Sequence, residues 1–275
     1  MKKITFILLL SILSSSFSIS VQAEEKVYTI GIVPQFEIRH IRKIWNPILN
    51  EIKKKTGYKL TFVGSPTIPD FESEFSAGSF DFAYMNPYHA LIANKTQGYV
   101  PLIRDTERKL QGILVVRKDS GIDSVKELDG AKISFPAPNA LGASLLIRAD
   151  LTKQHNIKFN PIYVKTHSSV YLNVIVKQTT AGGGVGKTLK QQKENIRGAL
   201  KIIYRSPEVS PHPITAHPRV PEIVKNNIKQ AFLELGKSDA GKALLSKIPM
   251  KQIGDAQLSD YTPLNEFNLD EFYVK

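Results

Sequence analysis

The sequence predicts an α/β protein built as two lobes joined by a hinge. Three observations carry this reading. Short β-branched runs alternate with helical spacings along the chain, which implies sheets flanked by helices. The alternation runs twice, with a polar break at Asp105 to Gln111 between the runs. Residues 206–218 contain four prolines and read as a connecting stretch, and a second crossing near Arg205 to Pro213 is expected to return the chain to the first lobe.

In the first run, Val27 to Val33 is an apolar strand. Ile38, Ile41, Trp45, Ile48, Leu49 and Ile52 keep helical spacing up to Lys55, and Gly57 is a stop signal. Tyr58 to Val63 alternates as a strand. Ile68 to Ala77 reads as a helix closed by Gly78. Phe80 to Tyr84 is a short strand, Tyr88 to Asn94 a helix and Tyr99 to Ile103 a strand.

In the second run, Gly112 to Arg117 is a strand. Ser124 and Glu127 match a capping box, and Leu128-Asp129-Gly130 ends that turn. Ala131 to Phe135 is a strand and Leu141 to Thr152 a helix. Pro161 to Lys165 is a strand and Val170 to Val176 a helix. Gln178 to Gly183 is expected as a strand entering a Gly-rich turn, and Lys201 to Tyr204 as the last strand of this run. Val220 to Leu235 and Ala240 to Lys247 are helices, and Asp260 to Lys275 an irregular tail. The sheets are expected to be parallel. The predicted division is 1–23 leader, 24–108 first lobe, 109–204 second lobe, and 205–275 return to the first lobe with the tail.

The leader reads as an export signal. Lys2 and Lys3 precede an apolar run from Ile4 to Leu13, and Val21-Gln22-Ala23 is a small-x-small cleavage site. The run is shorter than the about 20 residues a membrane span needs. Cleavage after Ala23 would leave 252 of the 275 residues, with periplasmic placement. The chain has no cysteine, which excludes disulfides, thiolate-held metals and thiol nucleophiles. The formal charge of +12 falls to +10 without Lys2 and Lys3 and favours anionic partners. Export, and the lack of aromatics among the basic runs, argue against nucleic acid.

An ordered series of motifs resembles the phosphate/phosphite/phosphonate-binding proteins of ABC importers. It comprises Gly31-Ile32-Val33-Pro34, Trp45-Asn46-Pro47 and Gly78 to Pro87. It continues with Val115 to Ser120, Leu128-Asp129-Gly130, Thr166 to Tyr171 and Ala181 to Val185. The resemblance implies a type II periplasmic-binding-protein fold, closing on a small oxyanion and delivering it to a permease in the inner membrane. A monomer and no cofactor are expected. A module serving a sensor kinase, and a hydrolase using His167 as base, remain alternatives.

Loops at the carboxyl ends of strands supply the candidate site. Tyr84, Asn86 and Tyr88 offer donors at a helix start, although the tyrosines also suit a core and Asn86 an N-cap. In Ala137 to Ser144, backbone N–H groups could face a ligand, with Asn139 and Ser144 as side-chain donors. The Ser-Thr-Ser-Gly-type run of the family is replaced here by Asn139-Ala140-Leu141-Gly142. His167 matches the family's ligand-contacting histidine, and Ser168 and Ser169 serve as donors or caps. Gln35 follows the first strand, with Arg39 and Arg42 beyond it as surface charges or countercharges. Ala181 to Thr188 nearly spells a P-loop, but its first glycine is Ala181 and export argues against nucleotide. His212 and His217 lack carboxylate partners for a metal. No hydrolase, zincin or EF-hand motif is present, so no catalytic or metal residue is assigned.

Overall fold

A computed structural model describes residues 26–274; the predicted leader and cleavage site lie outside the described residues. The first lobe opens with β1 (Val27–Ile32), α1 (Ile38–Thr56), β2 (Lys59–Gly64), α2 (Ile68–Ser76), β3 (Phe82–Tyr84), α3 (Pro87–Gln97) and β4 (Val100–Asp105). Much later the chain adds β10 (Ile214–Ala216), α8 (Glu222–Leu235), α9 (Asp239–Leu245) and β11 (Ile253–Asp255). The strand order is β11-β4-β10-β3-β1-β2. β1 lies between β2 and β3, so successive right-handed crossovers send α1 and α2 to opposite faces of the sheet. α1 buries the face predicted from its spacing, Ile41, Trp45, Ile48, Leu49 and Ile52, and Gly57 ends it at φ 74°.

The second lobe contains β5 (Gly112–Arg117), β6 (Lys132–Phe135), α4 (Leu146–Lys153), β7 (Asn160–Tyr163), α5 (His167–Ile175), β8 (Ala181–Val185), α6 (Gly186–Lys190), α7 (Glu194–Ala199) and β9 (Leu200–Arg205), in sheet order β7-β6-β8-β5-β9. The period of two in β5 is read by both faces. Leu114 and Val116 pack with Ile147 and Leu151 of α4, whereas Ile113 and Val115 pack with Val170 and Val174 of α5. Each such side chain, fully buried, contributes about 1.5–3 kcal/mol.

Three expectations change. The sheets are mixed rather than parallel: β10 and β11 run antiparallel to their neighbours, and β5 runs antiparallel to both β8 and β9. β5 and β10 each follow a crossing between lobes, where the chain enters against the prevailing direction. The Pro-rich stretch is not all connection, since Ile214–Ala216 is a central strand. Its prolines flank the ladder, where a missing N–H does not break it.

The third change concerns the run that resembled a P-loop. Ala181–Val185 is a buried strand between β6 and β5, not a loop. Gly182, Gly183 and Gly184 do not have positive φ; they permit close packing. A Cβ on Gly183 would overlap the carbonyl oxygen of Ala143, and one on Gly112 that of Gly142. Two glycines on adjacent strands thus let the turn before α4 lie directly on the sheet backbone.

The crossing segments are pinned together by backbone bonds in both directions between Leu110 and Val209, each 2.9 Å. The tail is less irregular than predicted. It forms short 3-10 turns between Leu258 and Glu271 and then crosses to the second lobe. There Arg148 donates to Phe272 O at 2.6 Å, while Tyr88 of the first lobe donates to Asp270 at 2.5 Å.

Candidate oxyanion site between the lobes

The carboxyl ends of β1, β3, β6 and β8 converge between the lobes. They form a deep cavity of 20 Å³, roughly the room one water needs. Gln35, Asn86 and His212 reach it from the first lobe. His167 and the turn Ala140 to Ala143 reach it from the second. It contains no Asp, Glu, Lys or Arg. In this conformation the cavity holds nothing much larger than a water molecule.

Asn86 caps α3, its Oδ1 accepting from His89 N at 2.8 Å. Its Nδ2 donates across the cleft to Asn139 O at 3.2 Å. The turn at Leu141–Leu145 is a π-helical start continuous with α4. The N–H groups of Ser144 and Leu145 both bond to Ala140 O, at 2.7 and 3.1 Å. Those of Leu141, Gly142 and Ala143 have no acceptor among the described residues, and these three residues line the cavity. The turn thereby offers the backbone donors that a helix start directs at an anion.

His167 Nδ1 lies 3.1 Å from Thr188 Oγ1, which also neighbours Val185 O at 2.9 Å and the Tyr171 hydroxyl at 2.7 Å. Thr188 has one proton for two acceptors, Val185 O and His167 Nδ1; in the arrangement where Nδ1 receives it, Nε2 carries the ring proton and can donate. His212 stacks on Tyr84, with ring centroids 5.3 Å apart, and its Nε2 is 3.4 Å from Gln35 Nε2.

The other predicted side chains lie behind or beside the cavity. Tyr84 is packed between Trp45 and His212; its buried hydroxyl has no partner among the described residues, and burial pushes its pKa up. Tyr88 faces the tail, not the cavity. The Asn139 side chain is committed to Glu72 at 2.9 Å and to both backbone groups of Val274, at 2.7 and 2.9 Å. Ser144 accepts from Arg148 Nε at 3.1 Å. Ser169 pairs with Thr166 Oγ1, the cap of α5, and Ser168 does not line the cavity. Arg39 is exposed, and the Arg42 guanidinium lies 5.5 Å from the Phe62 ring centroid, outside the cavity.

His212 was missed as a ligand candidate because a histidine among prolines carries no motif; only the lobe crossing brings it opposite His167. His217 packs on Tyr99 and receives Arg219 N, and no group of three or more metal-ligating side chains occurs among the described residues.

Burial pushes the His167 pKa down to about 4. Burial, with His89 and His167 nearby, pushes His212 down to about 3. Both rings are thus neutral at pH 7 in this conformation. A base with a depressed pKa imposes no penalty above its ordinary value of 6.5. Below that value the exposed ring takes up a proton that the buried ring refuses, so stability is lost from pH 6.5 down towards 4. At pH 5 the penalty is on the order of 1–2 kcal/mol per ring. The unliganded protein should therefore melt at lower temperature at pH 5 than at pH 7. A His167→Gln, His212→Asn double variant should flatten that profile in scanning calorimetry; an unchanged slope would contradict the assignment.

The family model for phosphonate periplasmic substrate-binding proteins of ABC transporters matches residues 30–261. The chain belongs to this family. It is 24% identical over 255 residues to the phosphonates-binding periplasmic protein of Escherichia coli, covering 86% of this chain and 75% of that one. It is 22% identical over 227 residues to a phosphate-import protein of Mycolicibacterium smegmatis, covering 75% and 71%. The fold superposes on the binding component of a Pseudomonas aeruginosa ABC phosphonate transporter with TM-score 0.81, 17% identity and coverage of 89% and 86%. It also superposes on PhnD1 of Prochlorococcus marinus in complex with methylphosphonate, with TM-score 0.80, 16% identity and coverage of 89% and 97%. The type II periplasmic-binding-protein fold follows. So does a role in binding for an ABC importer rather than in turnover, and neither the sensor nor the hydrolase alternative is favoured.

Proposed function

We propose that this family member captures a phosphorus oxyanion (phosphonate, phosphite or phosphate) in the deep cavity and delivers it to its permease. The chain is read as a periplasmic monomer released by cleavage after Ala23. Residues 24–108 and 205–275 form one lobe and 109–204 the other. Gln35, Asn86, His167 and His212 are the side-chain donors, joined by the N–H groups of Leu141, Gly142 and Ala143. Tyr84 backs His212. Tyr88, Asn139 and Ser144 hold the tail and the turn in place, and Ser168 and Ser169 shape the start of α5.

The observation that carries this reading is a cavity reached from both lobes by neutral donors, with no carboxylate in its wall. Such donors suit an anion because hydrogen bonds to a charged acceptor are roughly twice as strong as neutral ones. A carboxylate wall would repel it. Closure follows because the bound oxyanion contacts both lobes only when they meet.

The test is a melting panel with phosphate, phosphite and methylphosphonate, and with sulfate for comparison. A true ligand at 100 times its Kd adds about 2.7 kcal/mol, or roughly 5–10 °C in Tm for a chain of this size. Flat curves with all three phosphorus anions would reject the proposal. His167→Ala should weaken the best of them more than tenfold, about 1.4 kcal/mol. Unchanged affinity would remove His167 from the contacts.

A further inference from the structure

Beside the deep cavity lies a wider mouth of 510 Å³. Gln35, Leu110, Val185 and His212 line both, so the two spaces adjoin. The mouth has a different character. Five cations line it, Arg108, Lys109, Lys187, Lys190 and Arg205, and no Asp or Glu does. Two of them bond neutral groups, Lys187 Nζ donating to Ser246 O at 2.9 Å and Arg205 to Gln111 Oε1 at 3.4 Å, while Lys109 lies near Asp260, a carboxylate already paired with Arg104 at 2.9 Å. The two acids just before Arg108 in sequence are committed elsewhere. Asp105 receives four backbone N–H groups, and Glu107 pairs with Lys251 at 2.8 Å. Other surface cations of this chain, such as Lys54, Lys201 and Arg219, have carboxylate partners.

Like charges gathered on one wall repel one another. Burial, with Arg108 and Lys190 nearby, depresses the Lys187 pKa. A substituent on a phosphorus centre seated in the deep cavity would emerge among these five charges.

We propose that the mouth is a second anion subsite, and that the ligand class is a phosphorus oxyanion carrying a second acidic group. An ω-phosphonocarboxylate represents it; an aminoalkyl phosphonate, whose ammonium would face five like charges, does not. The proposal rests on the oxyanion reading of the deep cavity and adds a selectivity which that reading does not require.

Calorimetry on the purified protein separates the two. Methylphosphonate, phosphite and phosphate report the deep cavity alone. Phosphonoacetate, 3-phosphonopropionate and 4-phosphonobutyrate, each beside its uncharged amide, report the mouth. At least one acid should bind about tenfold or more tighter than its amide, and 2-aminoethylphosphonate should bind more weakly than methylphosphonate. A Lys187→Gln, Lys190→Gln variant should lose the preference for acid over amide while holding methylphosphonate within about threefold, because neither side chain lines the deep cavity. Equal affinities for every acid and its amide would overturn the subsite while leaving the deep cavity intact. So would a variant that weakens methylphosphonate as much as the acids. Failure of all the simple phosphorus anions to bind would overturn both readings.

Discussion

Asn86→Asp is expected to weaken methylphosphonate binding by about a thousandfold, measured by calorimetry at pH 7. The substitution is nearly isosteric and preserves the cap of α3, because a carboxylate oxygen accepts from His89 N as the amide oxygen does. It removes the Nδ2 donor, which meets Asn139 O across the cleft, and it places a negative charge in a cavity wall that otherwise has none. An uncompensated buried charge costs about 3–5 kcal/mol, and about 4 kcal/mol corresponds to three decades of affinity. The cap keeps the open protein folded, so its far-ultraviolet circular dichroism should match the parent. Binding within tenfold of the parent would show that Asn86 does not face the ligand.

Gly183→Ala is expected to lower stability by about 3 kcal/mol, the upper end of ordinary overpacking. The added methyl would overlap Ala143 O and crowd the Phe135 ring in a central strand that cannot move without its two neighbours. Urea denaturation measures the loss directly. What remains folded should also bind methylphosphonate more weakly, because the displaced turn carries the free N–H groups of Leu141 to Ala143. Parental stability would mean that the turn does not rest on the sheet. Gly186, one residue past the strand, has open space at its Cβ position, so Gly186→Ala is the control expected to leave the packing unchanged.

Most of the fold was legible because its signals are local. The buried stripe of α1, the apolar run of β5 and the cap at Asn86 each follow from residues within a few positions of one another, whereas α5 is capped by Thr166 rather than by Ser168 or Ser169. Strand direction was not legible. β10 is three residues long and sits among prolines, and its antiparallel course depends on where the chain re-enters the first lobe. The glycines of β8 resembled a phosphate loop because sequence records only the missing side chain. Packing under Phe135 and the α4 turn gives the reason it is missing.

The site divides in the same way. Gln35, Asn86 and His167 end strands or open helices, so a strand-end rule finds them. His212 reaches the cavity through the return crossing, and the five cations of the mouth come from separated segments that only the fold assembles. Asn139 shows the converse. It lies in a loop that the strand-end rule selects, yet its side chain is occupied by a tail more than a hundred residues away.

The central claim is that two lobes grip one oxyanion through neutral donors drawn from both sides. A crystal structure of the protein with methylphosphonate tests it most directly. The account predicts phosphonate oxygens within hydrogen-bond distance of Gln35, Asn86 or His212 on one side, and of His167 and the N–H groups of Leu141 to Ala143 on the other. A phosphonate held by one lobe alone, or bound outside the cleft, would contradict it.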